Sequence, residues 1–509
     1  MIKIFRKWFT KGKNRIERRL DKSKDTMTFR PMFDGSNIQY EVSDKVHGIT
    51  CGGIGAIHVL ARRIGLIDAI DQQLHKFKIH MGYHESDHVL NIAYNALCGG
   101  TCLQDIELRR NDANFLDALG ARRIPDPTTA GDFCRRFTAV DVETLINVFN
   151  DTRRRVWAKQ PKDFFECAII DMDGTITGTT GSCKRGMDIA YNGIWGYHPL
   201  ILSLANTGEV LSIINRSGNR PSHENAAREV DRSLMVCFQG GFRKVLLRGD
   251  TDFSQSEHLD GWDILPRVRF IFGFDAVPKL VKIADELPKK AWRPLKRPAR
   301  YQVKTRSRRR PANVKDRIVK ERAFDTLRLR SEEVAEFTYR PTACRKAYRM
   351  VVIRKNITKE KGEKALFDEI RYFFYITNER EWTADEIVFS ANDRCNQENL
   401  VAQLKGGVRA LQAPLDTLES NWAYMVMTAL AWNLKAWWAL TLPNRPGRWE
   451  ERHREEKEWV LRLDFKTFLN AFVLLPCQIV KTGHKLVYRL LAWNPHLNIF
   501  FRLLKALRC

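Results

Sequence analysis

Beyond residue 45 the apolar positions recur at helical spacing. Ile57, Leu60, Ala61 and Ile64 fall at i, i+3, i+4 and i+7, and Val89, Ile92, Ala93 and Ala96 repeat the pattern. Short glycine-containing turns separate these runs. One of them, GGIG at 52–55, lacks the third glycine and the preceding strand of a dinucleotide site and reads as a turn. The segment PDPTTAGDFCRRF, 125–137, predicts a turn, a cap at Thr128 or Thr129, and a helix carrying Arg135 and Arg136. Residues 45–158 thus form a helical N-terminal region, which either places a helix in a DNA major groove or serves as a packing module.

From Phe164 the period shortens to two. FFECAIIDMD is an apolar run of β-formers that predicts a central strand, and YHPLILSLANTGEVLSIINRSG predicts two strands joined at Thr207 and Gly208. Residues 222–236 predict a helix, and FRKVLLRGD a further buried strand. A hairpin followed by alternating helix and strand predicts an α/β fold with a mixed sheet flanked by helices, its first part at 159–270. Residues 271–364 are basic and β-rich, with KKAWRPLKRPARYQVKTRSRRRP and YRMVVIRK, and read as an insertion. Trp292 and its basic neighbours to 310 suit either a nucleic-acid surface or a solvated loop. FDEIRYFFYITN resumes the core, whose second part spans 365–445 with helix over 391–440. Residues 446–509, with WVLRLDFKTFLNAFVLL and YRLLAW, read as basic amphipathic helices, and residues 1–44 as a basic leader.

Charge narrows the partner. Across 509 residues, 85 Lys+Arg face 60 Asp+Glu, a net charge of +25, while 44% hydrophobic content excludes wholesale disorder. Such a surface attracts a polyanion, nucleic acid before an acidic membrane. The cysteines are scattered, several in apolar runs (Cys98, Cys167, Cys237), without a C-x-x-C pair, so neither a disulfide framework nor a zinc module is indicated. The opening MIKIFRKWFTKGKNRIERRL has no continuous apolar core, so no signal peptide is expected. The longest apolar stretch, 424–443, carries Asn433 and Lys435 at its centre, which lipid would penalise. It reads as a buried helix, with Trp437 and Trp438 in the core, in a cytoplasmic protein without a membrane segment.

Strand alternation puts Asp171 and Asp173 on one face at the carboxyl end of an apolar run, and Asp250 ends the run KVLLRGD. Two carboxylates at the ends of neighbouring strands suit a hard cation such as Mg²⁺, although each alone also fits a turn or cap. In ANDRCNQENLVAQLKGG, Arg394, Glu398 and Lys405 follow at steps of four and seven, on one helical stripe beside Ala402. An acid between two bases suits a metal ligand beside phosphate-gripping side chains, and equally an exposed salt-bridged face. His198, His223 and His258 show no metal-binding spacing and read as core or surface residues.

The R-x3-E-x6-K spacing resembles the latter part of the Y-x2-R-x3-E-x6-K signature of bacterial insertion-sequence transposases of the DDE type. DMDGT, LRGDTDF and RCNQENLVAQLKGG stand in the order of that family's first Asp, second Asp and Glu; GYHPL and PDPTTAGDF also look like it. The resemblance spans roughly residues 45–440 and departs at Ala391, where the signature has Tyr. It implies an RNase H-like core interrupted by an insertion before the Glu helix. Asp173, with Asp171 as the near alternative, Asp250 and Glu398 would hold two Mg²⁺ ions, for which Mn²⁺ would substitute. Such ions activate water or a 3′ hydroxyl and stabilise the leaving oxygen. Arg394 and Lys405 would grip strand phosphates. The implied activity is nicking at element ends and strand transfer into target DNA. The implied partners are double-stranded terminal repeats and target, bound by a homodimer in a synaptic complex at the bacterial nucleoid.

Three competing readings remain at this level. A domesticated DNA-binding descendant would have lost catalysis, and a nuclease on the same fold would differ only in products. DMDGT also fits the D-x-D-G-T opening of haloacid-dehalogenase-type phosphatases, although an antiparallel hairpin follows it and Asp252 stands at the wrong spacing after Gly249 and Asp250. The transposase reading requires Asp173, Asp250 and Glu398, 77 and 148 residues apart, to converge in space.

Overall fold

The computed structural model describes residues 10–15, 40, 46–78, 82–297, 314–361, 364–444, 447–483, 485–491 and 494–508. The chain divides into two compact units, Met1–His47 and Gly48–Cys509. In the first, residues 10–15 are helical; apart from these and residue 40, the basic leader lies outside the described residues, as does the basic run from 298 to 313.

The second unit opens with β1 (Gly48–Ile49) and the helices α1 (Ile54–Arg63), α2 (Glu85–Leu97), α3 (Pro127–Arg135) and α4 (Ala139–Trp157). α1 buries Ile57, Leu60 and Ala61 as their spacing demands. The cap of α3 differs from expectation: Asp126, not a threonine, receives the Thr129 N–H at 2.9 Å. Pro127 at the first helical position explains it, because that position needs no donor and the cap then falls one residue earlier. At α4, Thr138 and Asp141 form a reciprocal capping box.

The strands follow. β2 (Cys167–Gly174) is central, and from its end leaves a small antiparallel sheet of β3 (Thr177–Gly178), β4 (Asp188–Ile189) and β5 (Trp195–Tyr197), in the order β3-β5-β4. β6 (Leu200–Leu204) and β7 (Glu209–Ile214) form the expected hairpin, turned at Gly208 with φ +70°. After α5 (Ala226–Gln239), β8 (Lys244–Gly249) pairs parallel to β2, and β9 (Val268–Phe274) parallel to β8. β10 (Arg293–Pro294), β11 (Asp325–Tyr339), β12 (Tyr348–Lys361) and β13 (Lys364–Thr377) complete a nine-stranded mixed sheet, ordered β10-β11-β12-β13-β9-β8-β2-β6-β7. Only the last four residues of β13 pair with β9. The basic, β-rich stretch therefore extends the edge of the same sheet.

Three helices take the place of the continuous one expected over 391–440: α6 (Ala384–Asp393), α7 (Cys395–Ala402) and α8 (Leu418–Thr441). A π-helical turn at Gln403–Gly407 ends α7, and Gly406, Gly407 and Pro414 favour an irregular connection before α8. The C-terminal region also departs from an all-helical reading. After α9 (Glu450–Arg462), β14 (Cys477–Thr482) and β15 (Lys485–Leu490) form a hairpin that pairs with β1, and α10 (Leu497–Arg508) follows. Tyr488 to Leu490, read as helix, belong to β15, because the unpaired edge of β14 outweighs a short local period.

α8 is buried on every side from Ser420 to Leu440 and packs on α2, α4 and β7, so it forms the axis of the core, with Trp437 and Trp438 inside it. The two polar residues at its centre are paired. Asn433 accepts from Val210 N and donates to Val210 O, and Lys435 donates to Leu461 O at 2.8 Å while lying over the Trp432 ring. Burial drives the Lys435 pKa down to about 7. Among the described residues no helix is long and apolar enough to cross a membrane.

Candidate functional site

Asp171 and Asp173 lie on one face of β2, opposite Ser203 and Ile201 of β6, and Asp171 also pairs in parallel register with Arg248 of β8. Their roles separate at once. Asp171 is 1% exposed, and Arg248 takes both its oxygens, Nε to Oδ1 at 2.7 Å and Nη2 to Oδ2 at 2.8 Å. The third guanidinium nitrogen donates to Ser390 O of α6 at 2.8 Å. Burial raises the Asp171 pKa, with Arg248 opposing. This buried carboxylate is held in a bidentate ion pair that joins the sheet to α6.

Asp173, two residues on, stands where β2 leaves the sheet. Asp250 follows β8 and caps a single 3-10 turn by accepting the Asp252 N–H at 3.1 Å. Both approach one cation: Arg394 Nη1 lies 3.8 Å from Asp173 Oδ2 and 3.9 Å from Asp250 Oδ2. That nitrogen is buried without a hydrogen-bond partner. Burial pushes the Asp173 pKa up to about 6, Arg394 opposes, and the negative charges of Asp250 and Glu398 add to the rise. Burial likewise raises Asp250, with Arg394 opposing and Asp252 and Asp275 adding. The Lys405 pKa is lowered by burial and held back by Asp173. The five residues singled out in the sequence therefore share one end of the sheet.

They do not share one helical stripe. Arg394 lies at the break between α6 and α7, Glu398 is exposed in the first turn of α7, and Lys405 is in the π-helical turn. Nor do the carboxylates close into a ligand set: among the described residues no three His, Cys, Asp or Glu side chains are near enough to hold a metal ion. The chemistry of the donors nonetheless fits a hard cation. Asp173 and Asp250 are desolvated, the negative charges of Asp250 and Glu398 add to the rise in the Asp173 pKa, and the Arg394 guanidinium lies beyond hydrogen-bond distance of both aspartates.

Other side chains that hold the site in place escaped the sequence reading. Gln397, buried beside Glu398, donates to Ile201 O at 3.3 Å and pairs with Ser203, fixing α7 against β6. Its neighbour's motif position was the sole signal. His198, read as a default core or surface residue, is a buried neighbour of the site. Its Nδ1 lies 2.8 Å from Arg220 O and so carries the proton, while Nε2 faces Gly174, where a methyl group would come within 2.8 Å of it. Burial holds its pKa below the usual imidazole value, and Asp252 and Lys405 are among the weaker influences on it. Ala391 packs against the apolar cluster formed by Leu246, Ile271 and Ile353 with α6.

Arg135 pairs with Asp132 and Asp416, both at 2.8 Å, and Arg136 lies over the Phe77 ring, while both side chains stay exposed. The phosphatase reading of DMDGT fails, because β2 continues into an antiparallel hairpin and Asp171, its would-be nucleophile, is sealed by Arg248.

A family model described as Transposase DDE domain group 1 matches residues 42–452. No curated protein matches the chain. Among solved structures, a piggyBac transposase synaptic complex with hairpin DNA is similar at 10% identity and a TM-score of 0.36, over 83% of this chain and 81% of that one.

Proposed function

This chain belongs to the transposase family described as Transposase DDE domain group 1, and on that premise we propose that it nicks the ends of a bacterial insertion sequence and transfers the strands into target DNA. One observation carries the reading: Asp173 and Asp250 each lie within 4 Å of Arg394, and Asp173 feels the charges of Glu398 and Lys405. The strand order supports an RNase H-like core. An antiparallel β2-β6-β7 meander is followed by β8 and β9, both parallel to β2, with the chain then leaving to build β10–β13 before it returns in α6 and α7.

In this reading Asp173, Asp250 and Glu398 hold two Mg²⁺ ions, replaceable by Mn²⁺. Divalent cations at such a site supply an activated water or 3′ hydroxyl and neutralise charge on the leaving oxygen. The chain does the rest. Arg394 swings from the carboxylates to a phosphate, for which its planar fork is suited, and Lys405 adds a point charge on the same strand. Gln397 and the Asp171–Arg248 pair hold α7 and β8 so that the carboxylates need not reorganise. The helical region 45–158 and the basic stretch 271–364 contact flanking duplex, and two copies join the two element ends in the bacterial cytoplasm.

A second reading has one observation in its favour. Arg394 stands between Asp173 and Asp250 and partly neutralises them, as it would in a DNA-binding descendant without catalysis. The deciding experiment is nicking and strand transfer on DNA carrying the element's own ends, with Mg²⁺, with Mn²⁺ or with EDTA, and with Glu398→Gln as comparison. Joined products that disappear with EDTA and in the variant establish the transposase. Tight binding of the ends with no cleavage under any of these conditions establishes the binding protein.

A further inference from the structure

The phenol of Tyr375 has no task in the chemistry proposed above, yet the sheet register brings it to the carboxylates. Tyr375 of β13 stands opposite Gly273 of β9. Gly273 in turn touches the turn that carries the second aspartate: a methyl group there would come within 2.9 Å of Thr251 N and 3.1 Å of the Asp250 carbonyl carbon. β9 runs parallel to β8 with Ile271 beside Arg248, the partner of Asp171, so Ile271, Gly273 and Tyr375 share the face on which Asp171 and Asp173 lie. Because Gly273 carries no side chain, the Tyr375 ring has none opposite it across the strand pair.

Tyr375 is half-buried and packs, like Ala391 of α6, against the apolar cluster of Leu246, Ile271 and Ile353. Burial raises the phenol pKa, while the Arg297 and Arg394 guanidiniums oppose the rise and the Cys395 thiol adds to it. The hydroxyl therefore keeps its proton at neutral pH. Arg297 is already committed, with Nε and Nη2 2.7 and 2.8 Å from the two Glu332 oxygens. Arg394 is not: it lies beyond hydrogen-bond distance of Asp173 and Asp250, and its Nη1 is buried without a partner. Among the described residues the Tyr375 hydroxyl forms no hydrogen bond either. A group that can accept one hydrogen bond and donate another thus stands near a guanidinium with unused donors.

We propose that the Tyr375 hydroxyl accepts an N–H of Arg394 and donates to a non-bridging oxygen of the phosphate at the carboxylate site, so that Arg394 turns from Asp173 and Asp250 to the DNA as the strand enters. Tyr375 is then a positioning residue that acts through Arg394. No proton changes owner: the phenol stays neutral, and each of its two hydrogen bonds replaces one to water. Moving the guanidinium off the aspartates also leaves both carboxylates free for cations. The inference rests on the DNA-processing reading above, and its test separates the two.

The full chain is titrated by fluorescence anisotropy, in EDTA, against two labelled duplexes that carry the element end: one natural, the other with an uncharged methylphosphonate at the boundary phosphate. The methylphosphonate is expected to weaken wild type by about fivefold or more, and Tyr375→Phe, which lacks only the hydroxyl, by less than about twofold. Single-turnover nicking with Mn²⁺ gives the second readout. Tyr375→Phe should slow it by about tenfold to a hundredfold, and should cost less than about twofold more in an Arg394→Ala background, because residues that act as a unit are not additive. An equal methylphosphonate penalty in wild type and Tyr375→Phe, or rate losses that simply multiply, overturns the role of Tyr375 and leaves the DNA-processing reading intact. Absence of binding to either duplex by the wild type overturns both. If the wild type binds without nicking, the anisotropy comparison alone decides. Tyr375→Phe keeps the ring and its packing, and urea unfolding confirms that it folds.

Discussion

The same sheet carries two acidic centres, one buried and one half-buried, and their surroundings differ in kind. At one edge, Glu209 of β7 is fully enclosed and fully partnered. Arg153 Nε lies 2.9 Å from Oε1 and Trp437 Nε1 2.8 Å from it, while Trp157 Nε1 at 3.0 Å and Thr207 Oγ1 at 2.6 Å take Oε2. At the end of β2, Asp173 and Asp250 share one guanidinium that reaches neither. The first centre joins α4, α8 and β7 into one core. The second holds its charge against the cost of burial, as an active site does. Satisfied burial marks architecture at the first centre; at the second, the unsatisfied charges are those to which the proposed function assigns chemistry.

That contrast can be broken by experiment. The largest effect is expected at the open centre: Asp173→Asn should lower metal-dependent nicking on the order of 10³-fold, with unchanged circular dichroism. Activity within tenfold of wild type would remove Asp173 from the site. At the sealed centre, Glu209→Ala leaves the Arg153 charge buried without its partner, and should lower stability by about 3–5 kcal/mol in urea unfolding. A loss below about 1 kcal/mol would mean that the network is dispensable.

The sign of the pH dependence sharpens the comparison. Asp173 has a pKa of about 6 in the fold, above its value of 3.8 when unfolded, so the native state holds the extra proton between these values. Stability from this group is complete below pH 3.8 and is lost as pH rises through about 6, by up to about 3 kcal/mol. In metal-free buffer the difference between wild type and Asp173→Asn should therefore change across this window; parallel profiles would contradict it. The smallest effect belongs to the exposed Arg135 pairs, where Arg135→Ala should cost less than about 1 kcal/mol. A larger loss would show that α3 depends on them.

Much of this was legible in local pattern. The hairpin around Gly208, the strands ending in Asp173 and Asp250, and the buried character of 424–440 all follow from short-range periodicity. The misreadings share a cause. The helix expected over 391–440 is broken where Gly406, Gly407 and Pro414 interrupt it, and β15 forms because β14 offers it an edge. Asp171 and Asp173 are indistinguishable by spacing; only the parallel register of β2 with β8, which sets Arg248 opposite Asp171, separates them. His198 and Gln397 carried no spacing of their own, and acquired their place when β5, β6 and α7 met at Gly174 and Ile201.

The sequence by itself determined which segments are apolar and at what period, where the acidic and basic residues of the candidate site stand, and the net charge of +25 that suits a polyanion. Side-chain period and charge are properties of the local chain, and no fold is needed to read them. The tertiary structure alone decided which carboxylates are neutralised and which are left exposed to one another. That depends on partners 77 residues away for Asp171 and 144 and 221 residues away for Asp250 and Asp173, brought within 4 Å by sheet register and helix packing. Burial then set the proton affinity of each, because desolvation acts only on a group that the rest of the chain has enclosed.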